Sequence, residues 1–108
     1  QSLKAAKILE SKNIYSRVVN MHTIKPIDKI EIEKACNSRL IVSVEEHNVI
    51  GGLGSAIAEH KSSLKKSPKQ LFLGVKDNYS KGGNYKFLLE KHRLIPDKIV
   101  EDILLNIK

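Results

Sequence analysis

Only one cysteine, no tryptophan, three prolines and five aromatic residues occur among the 108 residues, and each scarcity narrows the chemistry. The single Cys36 has no partner for an internal disulfide, and in "IEIEKACNS" it sits among apolar residues as a small buried hydrophobe rather than a reactive thiol. Paired cysteines and an H-E-x-x-H motif are both missing, and His22, His47, His60 and His92 are scattered, so no metal site is expected. No apolar run approaches the roughly 20 residues of a membrane-spanning helix. The N-terminal "QSLKAAKILESK" interleaves lysines with its apolar residues and offers no h-region of a signal peptide, which points to the cytoplasm.

The formal net charge is +7, which raises nucleic acid or acidic lipid as partners. The 19 basic residues, however, spread from Lys4 to Lys108, and their densest group, "HKSSLKKSPK", reads as a solvated loop. With so few arginines and no aromatic stacking pattern, no reading element for nucleic acid is expected, and a lysine-rich solvated surface accounts for the charge.

What is present is rhythm. Leu3, Ala6, Ile8 and Leu9 predict a helix over 2–12, ended by Asn13. "IYSRVVNM" reads as a strand. Asp28, with Glu31 three positions on, predicts a capped helix running to about Cys36. "RLIVSVEE" is almost continuously apolar up to its acids, the pattern of a central parallel strand covered on both faces. Leu53, Ile57, His60 and Leu64 predict an amphipathic helix, and "QLFLGV" the next buried strand. "KDNYSKGGN" is a turn-rich loop ahead of a helix with Tyr85, Leu88, Leu89 and His92 on one side. Pro96 and Asp97 start a last helix with an apolar stripe through Ile99, Val100, Ile103, Leu104 and Ile107. The alternation predicts one three-layer α/β/α domain over 1–108 with a mostly parallel sheet. A helix in such a fold normally follows a strand, so the opening helix implies a missing first strand and a longer parent polypeptide.

The stretch "EEHNVIGGLGSAIAEH" then falls at the carboxyl end of a central strand and the start of a helix, where α/β proteins gather ligands and helix amides attract anions. An anion could be held at Gly51, Gly52 and Gly54. "GGLG" nevertheless lacks the dinucleotide G-x-G-x-x-G spacing and the Lys-Ser/Thr ending of a phosphate loop. The competing reading is that the glycines supply positive φ and close helix-to-sheet packing. Glu45, Glu46 and His47 suggest acid/base chemistry, but the two acids face opposite ways along a strand and no serine or cysteine partner is identifiable. Glu46, His47 and Asn48 are therefore candidate contact residues.

"VVNMHTIKPID", "LIVSVEEHNVIGGLGSAIAEH" and "GVKDNYSKGGNYKFLLEKHRLIPDKI" resemble, in order and spacing, the C-terminal domain of transketolases, especially those whose C-terminal section is a separate subunit. The resemblance covers nearly the whole chain. It departs from the family at Arg93, where a glycine is common, and at "SKGG", where the turn is more acidic. It implies a parent enzyme that uses thiamine diphosphate and magnesium, held by other domains, to move a two-carbon ketol unit between sugar phosphates. This domain would bind no cofactor, hold no catalytic residue and support a dimer or heterotetramer with the remaining domains or an N-terminal subunit. Related domains end 1-deoxyxylulose-5-phosphate synthase and the β subunit of 2-oxoacid dehydrogenases, which stay open as alternatives beside a free-standing anion-binding module.

Overall fold

The computed structural model describes residues 1–76 and 84–107. Most of the predicted "KDNYSKGGN" loop lies outside the described residues. The elements run α1 (Ser2–Ser11), α2 (Lys29–Ala35), β1 (Leu40–Asn48), α3 (Leu53–Lys61), β2 (Lys69–Val75), α4 (Tyr85–Lys91) and α5 (Pro96–Asn106).

Local signals set the helix ends. Asp28 accepts the Glu31 N–H at 3.1 Å, as the spacing predicts, and Asn84 caps α4 by accepting the Phe87 N–H at 2.8 Å. Helix α1 closes with Asn13 at φ 61° and with the Asn13 and Ile14 N–H groups on the Glu10 and Leu9 carbonyls. Helix α4 closes the same way through Arg93 at φ 62° and the Leu94 N–H on the Leu89 carbonyl. A left-handed position there explains why glycine would suit it. Arg93 is held in place by its side chain: the guanidinium reaches Asp102 through Nε and Nη2 and Glu101 at 2.9 Å.

Strands β1 and β2 pair in parallel from Leu40 opposite Lys69 to Val44 opposite Leu73. Alternation along β1 then divides two cores. Leu40, Val42 and Val44 face a core built from Ala5, Leu9, Leu73, Leu89, Ile99 and Ile103, under α1, α4 and α5. Ile41 faces the second core with Ile32, Cys36 and Ile57, under α2 and α3. This is the expected three-layer arrangement, and Cys36 is a buried core residue as its apolar surroundings imply. Ile99 and Ile32 lie at the centres of the two cores, 1% and 2% exposed.

Three expectations are corrected. Residues 14–21 form no strand; Tyr15 is 77% exposed, and among the described residues none of residues 15–21 joins a backbone-to-backbone hydrogen bond. A segment becomes a strand only when a neighbour completes the ladder, and no described segment pairs with this one. For the same reason β1 is not central among the described residues: the sheet contains β1 and β2 alone. Lys61, assigned to a solvated loop, ends α3 and is only 6% exposed. Its Nζ donates to the Pro68 carbonyl at 2.6 Å, and burial pushes its pKa down.

Candidate functional site

The carboxyl end of β1 departs from regular pairing. Val44 faces Leu73 and Asn48 faces Val75, so β1 spends two more residues than β2 over the same span. Such a bulge re-aims side chains, and it contains Glu45, Glu46 and His47. Gly74 makes room for it: a Cβ there would lie 2.9 Å from the His47 carbonyl oxygen and 3.0 Å from that of Glu45.

The two acids diverge as strand alternation requires. Glu45 turns toward α3, where its carboxylate accepts the Leu53 N–H at 2.7 Å and the Gly54 N–H at 3.2 Å. These are the first amides of a helix whose own cap position, Gly52, has no side chain to offer. Glu46 turns toward α4 and accepts the Tyr85 hydroxyl. His47 is exposed, and its Nδ1 donates to the Asn48 carbonyl at 2.9 Å, which fixes the proton on that nitrogen because the carbonyl can only accept. Asn48 Oδ1 accepts the Ile50 N–H at 2.9 Å, a local turn bond.

Each glycine has its own reason. Gly51 holds φ +77°. A Cβ on Gly52 would lie 2.2 Å from Glu45 Oε2, so its absence lets the carboxylate reach α3. A Cβ on Gly54 would lie 2.4 Å from Phe72 Cδ1 and 2.7 Å from Ser43 Oγ, so its absence seats α3 on the sheet. Ser55, which sequence reading passed over, accepts the Gly51 N–H and donates to the Val49 carbonyl, closing the corner. Gln70, also passed over, donates to the Gly54 carbonyl at 2.9 Å. Neither polar residue breaks an apolar pattern, so neither gave a signal in the sequence.

Among the described residues, no group of three or more His, Cys, Asp or Glu side chains is placed to hold a metal ion. The amides best placed for a diphosphate already serve Glu45. The described residues therefore do not fit a magnesium diphosphate. No helix among them is long and apolar enough to cross a membrane.

The Tyr85–Glu46 hydrogen bond, with lesser contributions from burial and the carboxylate charge, raises the Tyr85 pKa above the usual phenol value near 10. A raised folded pKa means that the contact stabilises the fold below pH 10 and is lost as pH climbs through the folded value. The difference in phenolate absorbance between the chain and Tyr85→Phe should therefore titrate above pH 10. A difference curve centred at or below 10 would show that the contact does not form in solution.

Comparison with known proteins accords with this geometry. The family described as transketolase, C-terminal domain, matches residues 1–99. A Methanocaldococcus jannaschii protein named as a candidate transketolase C-terminal section is 36% identical over the whole chain, which covers 34% of that protein. The 1-deoxy-D-xylulose-5-phosphate synthase of Dictyoglomus turgidum is 36% identical over 95% of the chain, which covers 17% of it. A solved split-gene transketolase, an inactive β4 tetramer, superposes with a TM-score of 0.86 over 98% of this chain and 34% of its own, at 36% identity. The chain thus spans about a third of the first and last of these relatives and less of the synthase, and it belongs to the transketolase C-terminal domain family.

Proposed function

We propose that this chain is the C-terminal section of a thiamine-diphosphate-dependent transketolase, and that it supports the assembly rather than performing the transfer of the two-carbon ketol unit. The observation that carries the reading is the end-to-end likeness to a split-gene transketolase of which this chain spans a third. Its own geometry supports an accessory role, since the glycine corner is filled by Glu45 and Ser55 instead of being left for a ligand. Glu46, His47 and Asn48, on the bulge at the end of β1, are then contacts toward the remaining domains or an N-terminal subunit. Cofactor and magnesium belong to that other polypeptide. The working assembly is a cytoplasmic homodimer or heterotetramer in carbohydrate metabolism.

A second reading has a specific observation in its favour: several 1-deoxy-D-xylulose-5-phosphate synthases match at similar identity, from 31% to 36%. One experiment separates the two. The purified chain is assayed alone and after co-expression with the remaining polypeptide of its parent enzyme, for ketol transfer between sugar phosphates and for 1-deoxy-D-xylulose 5-phosphate formation. Ketol transfer by the combination and none by the chain alone is expected. Synthase activity in the combination selects the second reading, and turnover by the chain alone overturns the accessory role.

A further inference from the structure

The amino end of the sheet, opposite the bulge, gathers basic residues from two separate stretches of chain. Strand pairing starts with Leu40 opposite Lys69, which brings the approach to β1 beside the approach to β2. Lys66 Nζ donates to Asn37 Oδ1 at 3.4 Å and ties the two approaches together. No acid occurs from Lys34 to Val44 or from Lys61 to Val75, and the basic residues there are Lys34, Arg39, Lys61, Lys65, Lys66 and Lys69. Helices α2 and α3 also end near this edge, and cations at a helix C-terminus commonly serve only to offset its dipole. Here serine hydroxyls already bond the last carbonyls: Ser38 donates to Ala35, Ser62 to Glu59 at 2.7 Å and Ser63 to His60 at 2.9 Å. Lys34 is paired with Glu31, Arg39 donates to the Ile107 carbonyl, and Lys61 is buried on the Pro68 carbonyl. Lys65, Lys66 and Lys69 are left, all exposed. Among the described residues Lys65 and Lys69 have no hydrogen-bond or ion-pair partner, and Lys66 has only the neutral Asn37 amide. Glu33, a turn back along α2, is held by His60 at 3.1 Å.

We infer that this edge docks an acidic segment of a partner protein, whose carboxylates meet Lys65, Lys66 and Lys69. Charge complementarity commits the occupant. Three cations close together without a counter-charge repel one another, and carboxylates relieve that repulsion while staying within reach of water. A lysine ammonium is a compact point charge that takes a carboxylate from any direction, which suits a segment without fixed shape. Nucleic acid fits less well. Arg39 is engaged and not free for a bidentate phosphate contact, and the single aromatic of the two stretches, Phe72, packs against Gly54 instead of offering a face to a base. A lipid surface finds no anchor either, because Leu64, the large apolar residue between α3 and β2, packs on the core under α2 and α3. The inference is independent of the transketolase reading. The edge also lies at the opposite end of β1 from Glu46, His47 and Asn48, so both ends can be engaged at once.

The test separates this patch from the net charge. A labelled peptide of alternating glutamate and glycine is titrated at low ionic strength against the chain, against Lys65→Gln/Lys66→Gln/Lys69→Gln, and against Lys4→Gln/Lys7→Gln/Lys12→Gln. The last variant has the same net charge as the second, with its changes at exposed positions along α1 and its end. The patch variant should bind about tenfold more weakly and the α1 variant less than about twofold, and the difference should shrink as salt is added. All six lysines are exposed, so both variants should keep the denaturation midpoint of the chain, which distinguishes lost binding from lost folding. In the unaltered chain, the peptide should shift amides of residues 37–39 and 62–69 ahead of others. Equal losses in the two variants reduce the effect to net charge and overturn the inference, as does an absence of binding at low salt or a pattern of shifts centred elsewhere. Tighter, patch-dependent binding of a single-stranded oligonucleotide of the same charge also overturns it, by making nucleic acid the occupant.

Discussion

Replacing Glu45 by alanine is expected to destabilise the fold by about 2–3 kcal/mol, the scale of losing charge-assisted hydrogen bonds to partly buried donors. The Leu53 and Gly54 amides would lose their acceptor, and Gly52 cannot substitute for it. The negative charge that complements the start of α3 would go with it. Glu45→Gln retains one oxygen but turns an amide group toward donors, and should cost about 1 kcal/mol, nearer the value of a neutral bond. Chemical denaturation of the three proteins at neutral pH gives the ranking. Indistinguishable midpoints for the chain and Glu45→Ala would mean that water caps α3 equally well, and the view of the corner as internally filled would fail.

That carboxylate shows where the sequence was legible and where it was not. Helices followed from local information: the Asp28–Glu31 spacing, Pro96, Asn13 and the Ile99–Ile103 stripe all act within a few residues of the element they define. Strands β1 and β2 were legible as nearly unbroken apolar runs, although Phe72 of β2 is exposed. Residues 14–21 are also β-branched yet pair with no strand among the described residues, because pairing depends on a neighbour that composition does not encode. The site divides in the same way. That glycines would turn the chain and bring α3 close was readable from residue type. Which group would occupy the helix amides was not, since the bulge between Val44 and Asn48 sets the aim of Glu45. Tyr85 lies 39 residues from Glu46, and Lys61 finds the Pro68 carbonyl only because α3 and the approach to β2 fold back together.

Gly54→Val is expected to cost about 3 kcal/mol, at the upper end for overpacking a well-filled interior. The first added carbon would already stand 2.4 Å from the Phe72 ring and 2.7 Å from Ser43 Oγ. Phe72 can swing outward because it is partly exposed, but Ser43 is buried on the strand beneath and cannot retreat without moving β1. Helix α3 must therefore lift, and its displacement stretches the Glu45 contacts and the Gln70 bond to the Gly54 carbonyl. Gly54→Ala should lose less, about 1–2 kcal/mol, because the higher helix propensity of alanine offsets part of the clash. Gly51→Ala is the informative contrast. Among the described residues nothing lies within 4 Å of a Cβ at that position, so its cost of about 1 kcal/mol comes from φ +77°. Hydrogen exchange separates the two causes: Gly54→Val should expose the α3 amides and those of residues 40–44 together, whereas Gly51→Ala should leave both protected. A Gly54→Val protein within about 0.5 kcal/mol of the parent, the usual range for a surface substitution, would mean that α3 does not depend on close contact with the sheet.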